Sequence, residues 1–126
     1  MVNADGGGYG VPLSYVYEDG IVYFHCAPQG HKLDNLALDD RMTFTVVGAT
    51  KVICGGFTTA YQSVMLFGRV RLVQDDRERF EALERLGTKY NPGFEEVAKK
   101  YIRGSFARTA VLRFDVEAMS AKAKKV

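Results

Sequence analysis

Residues 23–36, YFHCAPQGHKLDNL, constrain this chain more than any other stretch. The pattern predicts an apolar strand, a turn containing Gly30 and a helix that begins with His31 and Lys32. The start of a helix presents unpaired backbone N–H groups and a partial positive charge, to which a lysine adds a full charge. The sequence therefore predicts a strand–turn–helix unit whose helix start can bind a phosphate group.

Further strand and turn signals surround this unit. Residues 9–17 are rich in β-branched and aromatic residues, but Pro12 cannot donate a ladder hydrogen bond, so this strand lies at an edge or is distorted near Pro12. Asp19-Gly20 is a hairpin turn signal that leads into a returning strand over 21–27. The helix is predicted over 30–38.

The rest of the chain carries more strand patterns and two helical ones. The predicted strands are 42–47, a shorter one at 51–54, a long one over 58–73 in which Gly68 marks a bulge or a close backbone approach, and a last one over 107–116. The predicted helices are 75–89, with Asp75 and Glu78 as a capping box, and 94–101, with Gly104 ending it. Five or six strands in this order predict a mainly β fold, an antiparallel barrel with short helices at its ends.

Composition limits the class of protein. With 126 residues, 47% of them apolar and 25% charged, we predict one globular domain over 1–126. A net charge of +2 gives no reason to expect a nucleic-acid partner, although three lysines stand among the last five residues. No apolar run has the roughly 18 residues of a membrane helix, and no signal peptide is visible. Cys26 and Cys54 lack metal-binding spacing, which predicts no metal site and reduced thiols in a cytoplasmic protein.

Few side chains suggest chemistry, and each has a plain alternative. Lys32 is either a phosphate ligand or a solvated lysine on a helix, and His31 either donates to a phosphate or faces water. His25 follows Phe24 on a strand, so the two point to opposite faces. If Phe24 faces the core, His25 faces a groove or solvent, as an acid, a base, a hydrogen-bond donor or a structural histidine.

Two further residues are weaker candidates. Nothing near Cys26 in the sequence supports a nucleophile, because no positive environment can be shown. Ser63 is either a ligand hydroxyl or one polar residue in an alternating strand. No nucleotide-binding, hydrolase or metalloprotease motif is present.

Four separate segments resemble a known family. YFHCAPQGHKLDNL, MTFTVVG, YQSVMLFGRVRLV and RFEALERLGTKY, in this order and spacing, resemble the pyridoxamine 5'-phosphate oxidase-like flavoproteins, in the branch of the nitroimidazole-resistance proteins. The resemblance covers residues 9–90 and is weaker afterwards.

The resemblance implies a fold and a cofactor. The fold would be an antiparallel, Greek-key-like split barrel that binds FMN at a homodimer interface. The segment Val11-Pro12-Leu13-Ser14 would lie along the flavin, and His25-Cys26 near its ribityl chain and ring. His31-Lys32 would bind the FMN phosphate, and Ser63 would point a polar side chain towards the flavin.

The chain departs from the family in three ways. The family usually begins with a helix before the first strand, and that helix is missing here. The basic pair is His-Lys, which fits the nitroimidazole-resistance branch better than the vitamin B6 oxidases, whose pair is usually Arg-Lys. The C-terminal Trp and Arg of those oxidases have no counterpart, since the chain has no Trp, so pyridoxamine phosphate is not expected as a substrate.

These features lead to a functional hypothesis. We expect an FMN-dependent oxidoreductase that reduces small acceptors such as nitro-aromatics with electrons from NAD(P)H, with His25 beside the reacting flavin. The alternative is a flavin-binding protein without turnover of its own. A third hypothesis is a small β-barrel interaction module whose basic tail meets nucleic acid.

Overall fold

The computed structural model describes residues 1–125, which form five strands and three helices. The strands are β1 (Tyr15–Glu18), β2 (Ile21–Cys26), β3 (Arg41–Ile53), β4 (Thr58–Leu72) and β5 (Ala110–Lys124). The helices are α1 (His31–Leu38), α2 (Asp76–Tyr90) and α3 (Glu95–Ser105), with a single 3-10 turn at Phe106–Arg108. The prediction of a mainly β fold with short helices is confirmed.

All five strands belong to one antiparallel sheet, in the order β1-β2-β5-β4-β3. The sheet curls into a half-barrel, as expected for a split barrel. β3, β4 and β5 are consecutive neighbours, and β2 lies beside β5 although the chain leaves β2 for β3 through α1. This is a Greek-key arrangement.

The sheet carries a core on each face, because successive residues of a strand point to opposite sides. On β2, Val22 and Phe24 point into the curl, which we call the barrel core, together with Leu66, Val70, Leu112 and Phe114. Tyr23 points to the other face, where α2 and α3 cover the sheet; this helix-covered core includes Val73, Ala82, Leu83, Leu86, Ile102 and Val111. Leu83 and Leu86 form the buried face of α2.

A bulge interrupts the pairing of β4 with β5 at Gly68. The register shifts between Phe67 and Gly68, so that Gly68 pairs with Val116 while Phe67 pairs with Ala118. A Cβ atom built on Gly68 would lie 2.0 Å from the carbonyl oxygen of Asp115. The predicted bulge and the predicted close approach are therefore both present at this glycine.

The N-terminus of α2 is capped, but only half of the predicted capping box is present. The side chain of Asp75 accepts a hydrogen bond from the backbone N–H of Glu78 at 2.9 Å. Glu78 does not return the bond to Asp75; its carboxylate instead accepts from the Tyr23 hydroxyl at 3.2 Å and from Arg113 Nη1 at 3.0 Å. Glu78 thus ties α2 to the sheet.

Several predicted boundaries were wrong. The first strand begins at Tyr15 and not at residue 9, since the segment around Pro12 forms no ladder. β3 is one strand over Arg41–Ile53, with an irregularity between Val47 and Thr50, and not two. α3 ends at Ser105, beyond the predicted residue 101 and through Gly104, and the last strand runs to Lys124 and not to residue 116.

Because β5 extends to Lys124, two of the three lysines near the C-terminus belong to the sheet. Lys122 pairs with Ser63 and Lys124 pairs with Tyr61, so these lysines lie on a paired strand. Among residues 1–125, no helix combines the length and the apolar character needed to cross a membrane.

Candidate functional site

The first candidate region is the start of α1, which the sequence predicted as a phosphate site. His31 and Lys32 are the first two residues of the helix, as expected. Gly30 precedes them with φ of 149°, a conformation that a side chain would strain. No side chain caps this end, in contrast to α2, and the Gly30 carbonyl accepts from the N–H groups of Leu33 and Asp34 at 3.1 and 3.2 Å. The helix start therefore keeps backbone donors for an anion.

His31 is held by the segment at the beginning of the chain. Its Nε2 lies 2.9 Å from Oδ1 of Asn3, and its ring meets the Tyr9 ring edge-on with centroids 4.7 Å apart. Asn35, which is 2% exposed, donates its Nδ2 to the same Asn3 oxygen at 3.1 Å. Residues 1–9 thus fold against the helix start and fix the position of the imidazole.

The sequence reasoning missed Asn3 and Asn35. Asn35 stands one helical turn after His31, among the apolar residues Leu33 and Leu36 that pack against the barrel core. A buried amide in such a position needs a partner, which is a signal that could have been followed. Asn3 gave no comparable signal, because it lies 28 residues before His31 in an irregular segment.

Cys26 ends β2 and lies close to Lys32. Burial raises the pKa of the Cys26 thiol, and the positive charge of Lys32 acts in the opposite direction. The lysine ammonium and the thiol therefore share one region between the end of β2 and the start of α1. A thiol with a raised pKa is a poor nucleophile, which agrees with the absence of sequence support for that role.

The second candidate region is a cleft between the sheet and the two long helices, which we call the α2–α3 cleft. It has a volume of about 480 Å³, and both Ser14 and His25 line it. Phe24 is fully buried and His25 is exposed, so the expected opposite orientation of this pair is confirmed. The helices and the residue before α3 contribute mostly apolar and aromatic side chains, namely Leu83, Leu86, Tyr90, Phe94, Val97, Tyr101 and Ile102.

Tyr90 fixes the wall of this cleft. Its hydroxyl accepts from the backbone N–H of Tyr15 at 2.9 Å and donates to the carbonyl of the same residue at 3.0 Å. Lys89 donates to that carbonyl at 2.7 Å and stands 3.4 Å from the centre of the Tyr15 ring. The end of α2 therefore holds the chain directly after Ser14 in place.

The third candidate region is a cavity at the mouth of the half-barrel, which we call the barrel-mouth cavity. It has a volume of about 450 Å³. Val11, Pro12 and Leu13 form one side of it, and β3 residues 42–47 form another. Phe24 and Tyr15 close its floor from the barrel core.

Ser63 lies apart from these regions. It pairs with Val47 on β3 and with Lys122 on β5, and it lines neither the α2–α3 cleft nor the barrel-mouth cavity. Its neighbour Val64 packs in the barrel core, so Ser63 points to the opposite, outer face of the sheet. Within one chain, the predicted site residues thus lie at the start of α1, in the α2–α3 cleft and in the barrel-mouth cavity, and Ser63 lies outside all three regions.

No metal site accompanies these regions in the part of the chain that the structure describes, since no three His, Cys, Asp or Glu side chains there come close enough to hold an ion. Comparison with curated proteins finds no match to the chain.

Three solved structures share the fold at low sequence identity. A candidate 5-nitroimidazole antibiotic resistance protein from Bacteroides thetaiotaomicron VPI-5482 is 21% identical, with a TM-score of 0.74 over 96% of this chain and 72% of that one. The FAD and heme binding protein from Mycobacterium smegmatis is 19% identical, with a TM-score of 0.84 over 99% of this chain and 63% of that one. HutZ, the heme storage protein from Vibrio cholerae, is 12% identical, with a TM-score of 0.68 over 98% of this chain and 81% of that one.

The family model described as pyridoxamine 5'-phosphate oxidase matches residues 2–123. This match covers nearly the whole chain and agrees with the four segments that suggested the resemblance. The protein therefore belongs to the pyridoxamine 5'-phosphate oxidase family.

Proposed function

We propose that this protein binds FMN and acts as a cytoplasmic oxidoreductase on small acceptors such as nitro-aromatics, with NAD(P)H as the electron donor. The observation that carries the proposal is the uncapped start of α1, where free backbone donors, Lys32 and His31 stand together. A phosphate dianion fits this set of donors, because a helix start, an ammonium and an imidazole all favour negative charge.

The neighbouring residues fit the rest of the cofactor. Cys26 follows His25 on β2 and lies close to Lys32 at the start of α1. His25 and Ser14 both line the α2–α3 cleft. Val11, Pro12 and Leu13 supply an apolar segment on the other side of Ser14. A flat ring system needs such an apolar slot with a few polar contacts at its edge. Bound there, a flavin would supply the hydride or electron transfer itself.

The α2–α3 cleft is the proposed acceptor site. Its aromatic and aliphatic lining suits a small planar molecule, and its volume of about 480 Å³ is in the range of small-molecule sites. His25 is the one imidazole in its wall. We assign His25 the role of a hydrogen-bonding group beside the acceptor and the flavin, which the chemistry of imidazole allows at neutral pH.

The cofactor site is proposed to lie at a homodimer interface. The outer face of β3 and β4, formed by Thr43, Thr45, Val47, Ser63, Met65 and Phe67, has no helix packed extensively against it within residues 1–125. Val47 is 61% exposed, and Met65 and Phe67 are each 38% exposed. Neighbouring apolar side chains on one exposed face form a patch of the kind that marks a protein interface, and Ser63 lies among them. A second copy on this face would account for the separation of Ser63 from the other site residues.

A second candidate function is a flavin-binding or flavin-storing protein without turnover. It is suggested by the structural likeness to HutZ, which is described as a heme storage protein. Steady-state oxidation of NAD(P)H with a nitro-aromatic acceptor separates the two candidates. Turnover by the FMN-loaded protein supports the oxidoreductase, whereas a protein that stays oxidised with every donor supports storage.

The first test of the site itself is FMN binding. The protein should take up FMN, with visible flavin absorbance that survives dialysis and free FMN released on denaturation. Lys32→Ala should weaken FMN binding by about 1.5–3 kcal/mol, or roughly 10-fold to 150-fold in Kd, the range of a charge-assisted contact. Lys100→Ala, an exposed lysine on α3, is the matched control. Equal Kd values for the two variants would contradict the phosphate assignment.

The role of His25 needs a separate variant. His25→Gln should keep FMN affinity close to that of the unchanged protein and lower kcat with a nitro-aromatic acceptor by about tenfold or more. A loss of FMN affinity with kcat unchanged in the loaded fraction would place His25 at the cofactor only.

A further inference from the structure

The hydrogen bonds around Asn3 determine which of its atoms faces His31. The Nδ2 of Asn3 donates to the carbonyl oxygen of Gly8 at 3.2 Å. Its Oδ1 accepts from Nδ2 of the buried Asn35 at 3.1 Å. Both contacts agree on one orientation of the amide, in which Oδ1 is the atom 2.9 Å from Nε2 of His31. The atom that faces the imidazole is therefore an acceptor only.

This orientation determines the proton position on the imidazole. An amide oxygen can receive a hydrogen bond from Nε2 only when that nitrogen carries a proton. In the neutral ring the proton is then on Nε2, and Nδ1 is left with a lone pair. A lone pair repels a phosphate oxygen, so neutral His31 cannot donate to a phosphate from Nδ1 while Asn3 holds Nε2.

We propose that Asn3 is a positioning residue for the cofactor phosphate: it holds the proton of His31 on Nε2, so that His31 binds phosphate only as an imidazolium. The inference rests on the proposed function, since it takes the start of α1 as the FMN phosphate site. It adds that FMN binding near neutral pH is coupled to the uptake of a proton at Nδ1 of His31.

No ionisable group among the described residues is bonded to the His31 imidazole in a way that would hold a second proton on it. The titratable groups on the two segments that meet at His31, and at the nearby end of β2, are the Met1 ammonium, Asp5, Tyr9, Cys26, Lys32 and Asp34. Among the described residues, none of these groups forms a hydrogen bond or an ion pair with the imidazole. A bound phosphate would be the anion that favours the second proton.

The test is calorimetry of FMN binding at pH 7.5 in two buffers with different ionisation enthalpies, which gives the number of protons taken up. The phosphate of FMN is almost fully dianionic there, given a second pKa near 6, and contributes little to that number. We expect uptake of a substantial fraction of one proton, and a rise in Kd of up to about tenfold between pH 7 and pH 8.

Two variants isolate the role of Asn3. His31→Gln removes the titrating group and should abolish the proton uptake. Asn3→Ala releases the ring, so a neutral His31 can turn and donate, and both the uptake and the pH dependence of Kd should shrink. Lys32→Ala should weaken binding and keep the uptake. In the free protein, the imidazole nitrogen NMR shifts should show the Nε2–H form, and Asn3→Ala should lose this fixed preference.

The outcomes separate this inference from the proposed function. FMN binding that depends on Lys32 but takes up no proton would overturn the role of Asn3 and leave the phosphate site intact. Proton uptake that persists unchanged in Asn3→Ala would also overturn it. If FMN does not bind at all, the proposed function fails and this inference fails with it.

Discussion

At the scale of single residues, Cys26 can report on the lysine beside it. The positive charge of Lys32 lowers the pKa of the Cys26 thiol against the larger effect of burial, which raises it. In a Cys54→Ser background, which removes the exposed cysteine, Lys32→Ala should raise the pKa of Cys26 further. Because the thiolate is the reactive form, the rate of alkylation at pH 8 should fall. The matched control, Lys100→Ala, should alkylate at the original rate, and an equal rate in both variants would mean that Lys32 does not face Cys26.

Glu78 links α2 to the sheet through hydrogen bonds, so its removal should lower the stability of the protein. Its carboxylate bonds Tyr23 and Arg113, which are both largely buried against α2, and burial together with the charge of Glu78 raises the pKa of Tyr23. Glu78→Ala should lower the free energy of unfolding by about 1–3 kcal/mol, because two partly buried donors lose their acceptor. Glu81→Ala, which removes an exposed i,i+4 pair with Arg77, should lower it by about 0.5 kcal/mol or less. Urea unfolding of both variants measures the difference, and similar losses would show that Glu78 is only a surface charge.

At the scale of elements, the bulge between β4 and β5 depends on Gly68. Because Gly68 has no side chain, the carbonyl oxygen of Asp115 can lie where a Cβ atom on residue 68 would clash with it. Gly68→Ala should therefore lower the free energy of unfolding by about 1–3 kcal/mol or more, since backbone must shift. Gly48→Ala, on β3, would place its Cβ at ordinary contact distance, 3.6 Å from the Gln62 carbonyl oxygen. That variant should unfold at nearly the original urea concentration, and an equal loss in both would contradict the close approach at Gly68.

The elements also show what the sequence could predict. Turn signals and period-two alternation were sufficient for the β1–β2 hairpin and for β4, because each of these elements obeys a local rule. β3 was divided at Gly48 and Ala49, which have poor strand propensity and lie in the irregularity between Val47 and Thr50. The strand continues past them because the residues on both sides pair with β4. The end of β5, with its alanines at 118, 121 and 123, is a strand for the same non-local reason.

In the candidate site, too, features set by residues adjacent in sequence were predicted, and contacts between distant residues were not. The start of α1 was predicted from Gly30, His31 and Lys32, which are adjacent in sequence. The contact of His31 with Asn3 was not predictable, since it depends on how residues 1–9 fold back. The predictions for Val11, Pro12, Leu13, Ser14, Cys26 and Ser63 came from the family resemblance and stay predictions until a flavin is bound.

At the scale of the whole molecule, the homodimer is the proposal that a single substitution can test. Phe67 lies partly exposed on the outer face of β3 and β4, against which none of the described helices packs extensively. Phe67→Glu would place a charge in the proposed interface and should convert a dimer into single chains, because an unpaired charge is costly to bury. Tyr17→Glu, on β1 at the opposite edge of the sheet from β3, changes an exposed aromatic residue away from this face and should leave the dimer intact. Sedimentation of the FMN-loaded protein measures both, and a single-chain mass for the unchanged protein would remove the proposed interface.

The central place of β5 has a consequence for how the protein is made. Of the five strands described, β5 is the last to be synthesised, yet it is the strand that pairs with both β2 and β4 and joins them in one sheet. Until residues 110–124 have been synthesised, the β1–β2 hairpin and the β3–β4 hairpin are not joined in one sheet. Their barrel-core side chains, such as Phe24 and Leu66, then remain exposed to water. We therefore expect this sheet to close only after β5 has been synthesised, and the exposed apolar faces to favour aggregation of the nascent chain during that interval.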